Sequence, residues 1–110
     1  MTLQLPDVVQ TYFAISNGGD TAQLASCFRF DATVCDERKT YEGTAAIEAW
    51  QQEARTAFIY QVQPLQALQG QGELTVIARL VGNFPGSPVQ LSYLFTLEDG
   101  LICSLEITPC

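Results

Sequence analysis

Histidine is absent from this 110-residue chain. That removes the Ser-His-Asp and Cys-His nucleophilic arrangements and the commonest zinc and iron ligand. Carboxylate, tyrosine, lysine and cysteine remain for acid–base work. Positive charge is scarce: five Lys and Arg face twelve Asp and Glu, a net charge of −7. Of Arg29, Arg38, Lys39, Arg55 and Arg79, one pair is adjacent. Neither a nucleic-acid backbone nor an anionic membrane surface is therefore an expected partner. Cys27, Cys35, Cys103 and Cys110 form no C-x-x-C pair, so no metal knuckle and no redox motif is indicated. The first residues show no basic leader with an apolar run, and no apolar stretch reaches membrane-span length. The expectation is a cytoplasmic protein with free, mostly buried thiols, Cys35 and Cys103 among them and Cys110 exposed. No metal and no cofactor is expected.

Apolar residues, by contrast, are plentiful. They make up 47% of the chain against 15% charged, which places it among packed globules and excludes disorder. The length fits one domain, residues 1–110. So high an apolar fraction on so small a surface points to a partner chain over part of it, or to an internal cavity.

The periodicity gives the order of elements. Leu5 to Ser16 reads as a helix with Pro6 in its first turn and Val8, Val9, Tyr12, Phe13 and Ser16 on one stripe. Asn17-Gly18-Gly19 stops it. Asp20 then caps a short second helix, with Gln23 placed for a capping box. Phe28 to Cys35 is a strand, and Asp36 to Glu42 a charged loop or short hairpin. Thr44 is the expected N-cap of a third helix over Ala45 to Arg55, with Ile47, Trp50, Gln51 and Ala54 on its inner face. From Ala57 the period becomes two. Strands are expected over Ala57–Leu68, Glu73–Phe84, Val89–Leu97 and Leu101–Ile107, with a bulge or an edge position at Pro64. Leu101, Cys103, Leu105 and Ile107 fall on one face of the last strand.

Helices first and hairpins after give α-α-β-α-β-β-β-β, an α+β arrangement in which long strands curl over the helices as a half-open cone. The other sheet face is mixed, with Thr75, Ile77, Val81, Leu94 and Ile102 between Arg79, Ser92, Ser104 and Glu106. That face is the expected homodimer interface. Asp36, at the far end of the first strand, is expected at the mouth of an apolar pocket. The plainer reading is a strand-end Asp that caps the loop or pairs with Arg38.

Three stretches carry a family resemblance: Asn17-Gly18-Gly19-Asp20 after the first helix, the Asp31-Ala32-Thr33-Val34-Cys35-Asp36 run, and Tyr41-Glu42-Gly43 before the third helix. With the element order, they resemble the nuclear transport factor two-like superfamily, the cone-shaped fold of ketosteroid isomerases and SnoaL-like polyketide cyclases. The resemblance implies helices packed in a curved, mostly antiparallel mixed sheet. It hosts enzymes, binders and assembly modules alike.

Followed residue by residue, the resemblance puts Asp36 in the place of the isomerase's general base and Tyr12 in that of its oxyanion-donating tyrosine. The second donor, a carboxylic acid in that family, has no counterpart; Tyr93 falls at or near its position. Asp36, Tyr12 and Tyr93 would then make one base and two phenolic donors, suited to proton abstraction beside a carbonyl. Val34, Trp50, Phe58, Tyr60, Leu91 and Phe95 would line the pocket. Asp31 reads as structural, fixing backbone. Two functions follow: isomerase, cyclase or dehydratase chemistry on a small apolar carbonyl compound, or non-catalytic binding of a small hydrophobic ligand. A dimerisation module whose large side chains fill the cone is the third.

Overall fold

The computed structural model describes residues 4–110. The first helix, α1 (Asp7–Ser16), starts where Pro6 has no N–H to leave unpaired and Asp7 complements the helix dipole. Its buried residues are Val9, Tyr12, Phe13, Ile15 and Ser16, a wider arc than a single stripe because helices and sheet both press on it. Val8 is half-buried at its edge. Gly18, at φ 110°, ends the helix. The Asn17 side chain then pairs with the sheet like a short strand, donating to the Val62 carbonyl (2.9 Å) and accepting from the Val62 N–H (2.6 Å).

Asp20 caps the next turn by accepting from the Ala22 N–H at 3.0 Å. The expected capping box does not close: the cap bond goes to the second residue of a 3-10 turn (Thr21–Gln23), and Gln23 returns its backbone N–H to the Asp20 carbonyl. Helix α2 (Leu24–Cys27) leads into β1 (Phe28–Asp36), which forms a hairpin with β2 (Lys39–Glu42). The third helix, α3 (Thr44–Ala57), is capped one residue earlier than expected, by Gly43 at φ 86°; its N–H bonds the Ala32 carbonyl and ties the helix start to β1. It runs two residues past Arg55, so the following strand begins at Tyr60.

Strands β3 (Tyr60–Gln69), β4 (Glu73–Gly82), β5 (Val89–Glu98) and β6 (Leu101–Pro109) complete a six-stranded sheet in the order β2-β1-β6-β5-β4-β3. β1 and β6 run parallel and every other pair antiparallel, so the sheet is mixed and does not close. β3 is an edge, and its register shifts between Pro64 and Gln66, so the proline has both the edge and the bulge its missing donor calls for.

The concave face packs on the helices through Ala32 and Val34 of β1, Leu74, Val76 and Ala78 of β4, and Tyr93 and Phe95 of β5. On β6 the expected alternation fails. Thr96 faces Ser104 but Leu97 faces Ile102, so Cys103 is an extra residue, and a one-residue insertion exchanges the two faces of a strand. Ile102 is therefore buried in the core and leaves the outer face, while Leu101 and Cys103 turn out of it; the Cys103 thiol donates to the Thr96 carbonyl. Cys35 and Cys103 are thus half-buried rather than buried; Cys27 is buried and Cys110 exposed. Among the described residues, no helix is long and apolar enough to cross a membrane.

Candidate functional site

Alternation along β1 carries Ala32 and Val34 into the core, and Asp36 next in the same direction at the strand's end. Register then fixes its neighbours. Asp36 lies opposite Ile107 on β6, and Ile107 opposite Tyr93 on β5. Asp36 and Tyr93 therefore share one face, two strand spacings or about 10 Å apart along the hydrogen-bonding direction. From above, α3 presents Trp50, whose Nε1–H donates to Asp36 Oδ2 at 3.1 Å.

The carboxylate makes no ion pair with Arg38. Arg38 and Glu37 occupy the hairpin turn at φ 68° and 53°, and the described salt bridges involve other acids. Burial raises the Asp36 carboxyl above the usual range. The Trp50 N–H works against that rise, the nearby Glu37 charge adds to it, and the Glu37 backbone N–H lowers it.

A cleft of about 640 Å³ opens beside this carboxylate, within the size range of small-molecule sites. Tyr12 of α1, Tyr60 of β3 and Tyr93 of β5 present phenols to it. Of the residues read from the sequence as pocket lining, Trp50, Phe58, Tyr60 and Leu91 lie along it. Val34 and Phe95 do not: both are fully buried. They lie two residues deeper than Asp36 and two residues along from Tyr93, where the sheet is sealed by α1; the Phe95 ring stands 5.7 Å from that of Tyr12.

The three candidate residues Asp36, Tyr12 and Tyr93 come together. The Tyr12 and Tyr93 rings stand 6.3 Å apart. Burial raises both phenols well above their ordinary range, and the Asp36 charge pushes each further. For Tyr12 the Tyr93 phenol is the larger neighbour, with the Ser16 side chain offsetting part of the rise; for Tyr93 the larger neighbour is Tyr60. Tyr60 is raised by burial too, with Arg55 and the Gln51 amide opposing. All three are kept as neutral O–H donors. Such a set can hold a carbonyl or enolate oxygen while a carboxylate takes a proton.

Asp31 does not serve the backbone. β1 slips out of register with β6 between Phe28 and Thr33, and Asp31 projects there, pairing with Arg29 at 3.4 Å. Among the further residues that line the cleft and that the sequence pattern does not mark as site residues are Tyr41, whose ring lies 6.0 Å from that of Trp50, and the buried polar side chains Ser16 and Gln51. A signal for the last two exists, since each is a polar residue on a helix's apolar face. Among the described residues, no cluster of side chains suits a metal ion.

No protein-family model and no curated protein matches the sequence. Solved structures do. A candidate polyketide cyclase of Sinorhizobium meliloti is 41% identical, with 94% of this chain and 95% of that one covered at a TM-score of 0.90. A protein of Catenulispora acidiphila with a ketosteroid isomerase-like fold, crystallised with trimethylamine, is 21% identical over 96% and 86% of the two chains, at a TM-score of 0.84. A candidate isomerase of the SnoaL-like family from Agrobacterium tumefaciens is 18% identical over 94% of each, at 0.79. The last two show the fold; the first, with its identity and its coverage of both chains, shows the family. The chain belongs to the SnoaL-like, ketosteroid isomerase-like proteins of the nuclear transport factor two-like superfamily.

Proposed function

We propose that the protein is an acid–base enzyme acting on a small, uncharged, apolar carbonyl compound, with Asp36 as the base and the Tyr93 and Tyr12 phenols as donors to the developing enolate oxygen. One observation carries this reading: a carboxylate half-buried beside an apolar cleft, held by a tryptophan N–H rather than neutralised by a cation. Desolvation makes such a carboxylate a stronger base than a solvated one, and neutral phenols held nearby complement the charge that forms on oxygen. Isomerisation, cyclisation and dehydration share this first step. The relative from Sinorhizobium meliloti, named as a candidate polyketide cyclase, favours the polyketide end of that range.

The test reads the shared first step, whichever product forms. Small ketones and β-diketones are incubated in D₂O, and α-proton exchange is followed by NMR with wild type and Asp36→Asn. Loss of exchange in the variant, about 10²–10⁴-fold as for removal of a general base, is expected; equal exchange in both overturns the reading. The base form prevails above the Asp36 midpoint, so the rate should rise with pH through a value above that of an ordinary aspartate.

The apolar wall of Val62, Leu80, Val89 and Leu91 favours a second reading, a carrier of a hydrophobic ligand in the same cleft. Ligand binding by wild type and Asp36→Asn alike, without exchange in either, is its signature. The open cleft beside Asp36 argues against a cone filled for dimerisation alone. We propose pairing of two copies through the outer face of β4–β6, where Ile77 and Leu94 are half-buried and Val81 is exposed. Sedimentation that shows a dimer in the wild type and a monomer in Val81→Glu supports it; a wild-type monomer contradicts it.

A further inference from the structure

Among the described residues, two polar side chains are buried: Ser16, 7% exposed, and Gln51, 1% exposed. They are bonded to each other. Gln51 Nε2 donates to Ser16 Oγ at 3.3 Å, and Ser16 Oγ donates to the Tyr12 carbonyl at 3.2 Å. Both line the cleft. A buried polar pair adds little net stability over an apolar pair of the same shape, because its gain is offset by desolvation. What such a pair adds is geometry: the hydrogen bond is directional, and an apolar contact is not.

Its location gives that geometry a use. Gln51 is the residue after Trp50, which grips Asp36. Ser16 is one turn beyond Tyr12 on α1, and the Gln51 amide also approaches the Tyr60 phenol. We propose that Gln51 is a positioning residue: through Ser16 it locks α3 onto α1, so that Trp50 holds the Asp36 carboxylate at a fixed place relative to the Tyr12 and Tyr60 phenols. Gln51 touches no reacting atom in this scheme. This rests on the cleft being an acid–base site, but its test reads the surroundings of Asp36 whether or not a substrate turns over. Failure of Asp36→Asn to lose exchange would thus leave it standing, and the reverse.

The chain has one tryptophan, so a single indole N–H resonance reports the Trp50–Asp36 bond. Wild type, Gln51→Met and Ser16→Ala are titrated by ¹⁵N and carboxyl NMR, with thermal unfolding alongside. The charged and titratable groups that face Asp36 across the cleft are Glu37, Lys39, Glu53, Tyr12, Tyr41, Tyr60 and Tyr93, and these variants leave them unchanged. The Trp50 hydrogen bond lowers the Asp36 midpoint, so loosening it moves the midpoint up.

The expected result is an upward shift of about 0.5–1 pH unit, the equivalent of one ordinary hydrogen bond. The indole resonance should move upfield, with unfolding temperature little changed. A midpoint that stays within about 0.2 unit of wild type or falls, or an indole resonance that does not move, overturns the proposal, whatever happens to stability. Should Gln51→Met fail to fold, Ser16→Ala decides alone: it cuts the same link from the other helix by removing one hydroxyl.

Discussion

The two ends of the cone are built from the same residue types and put them to different uses. At the closed end Tyr12, Phe13, Tyr93 and Phe95 interlock, with ring centroids 5.2–6.3 Å apart, and Phe95 is sealed from solvent. At the open end Phe58 is 40% exposed and meets Phe84 edge-on at 6.2 Å across the cleft. Tyr12 and Tyr93 belong to both ends, with rings in the sealed cluster and edges on the cleft. The apolar surplus of the sequence is thus divided in two. One share is core. The other walls a space whose polar groups include Asp36, the phenols and the Ser16–Gln51 pair.

Five substitutions test that contrast. Replacing Phe95 by alanine opens a cavity in the sealed cluster and should cost about 3–5 kcal/mol, whereas Phe58→Ala, half in solvent already, should cost under about 1 kcal/mol; urea unfolding measures both. Equal costs would erase the distinction between the ends. Next in size, Asp36→Asn should slow α-proton exchange about 10²–10⁴-fold and yet stabilise the fold at neutral pH. The sign follows from linkage. The carboxyl is raised in the folded state, so its contribution is fully present below the unfolded-state value and is lost as pH rises through the folded one. The wild type should therefore lose stability over that window and the asparagine variant should not, as paired unfolding curves at acid and neutral pH will show.

Trp50→Phe keeps the ring and removes the donor, and should raise the Asp36 midpoint by up to about one pH unit; an unchanged titration would mean the indole only packs. The smallest effect is expected at the rim. The β1–β2 turn holds Glu37 and Arg38 at φ 53° and 68°, while the β5–β6 turn meets the same demand with Asp99 and Gly100 at 53° and 77°. Left-handed backbone costs a side chain about 1 kcal/mol and glycine almost nothing. Arg38→Gly should accordingly raise stability by roughly 0.5–1 kcal/mol. No gain in thermal unfolding would show the turn relaxed as it stands.

Much of the fold is legible in the residues. Leu74, Val76 and Ala78 alternate cleanly, Pro64 marks its bulge, and the Asp31-to-Asp36 run sets the strand that carries Asp36. The insertion at Cys103 is not legible. An extra residue in a run of apolar ones leaves the composition untouched and changes only what faces it across the ladder. The same limit hides the slip between Phe28 and Thr33 that throws Asp31 outward. For the candidate site, the family resemblance singles out Asp36, Tyr12 and Tyr93, and each lies on an element with a clear inner face. Val34 and Phe95 have the right face but the wrong depth, which alternation does not report. The Trp50–Asp36 and Gln51–Ser16 bonds depend on how α3 seats on β1 and α1, a matter of tertiary contact with no local signature.

The central claim is that Asp36 is a desolvated carboxylate held ready beside the cleft. Its most direct test is the carboxyl NMR titration of Asp36 in the native wild-type protein, read together with the single indole N–H of Trp50. A midpoint clearly above the ordinary aspartate value of about 3.9 is expected, with the indole resonance moving in the same titration. A midpoint at or below that value, or an indole blind to it, would mean a solvated or paired carboxylate and would contradict the account.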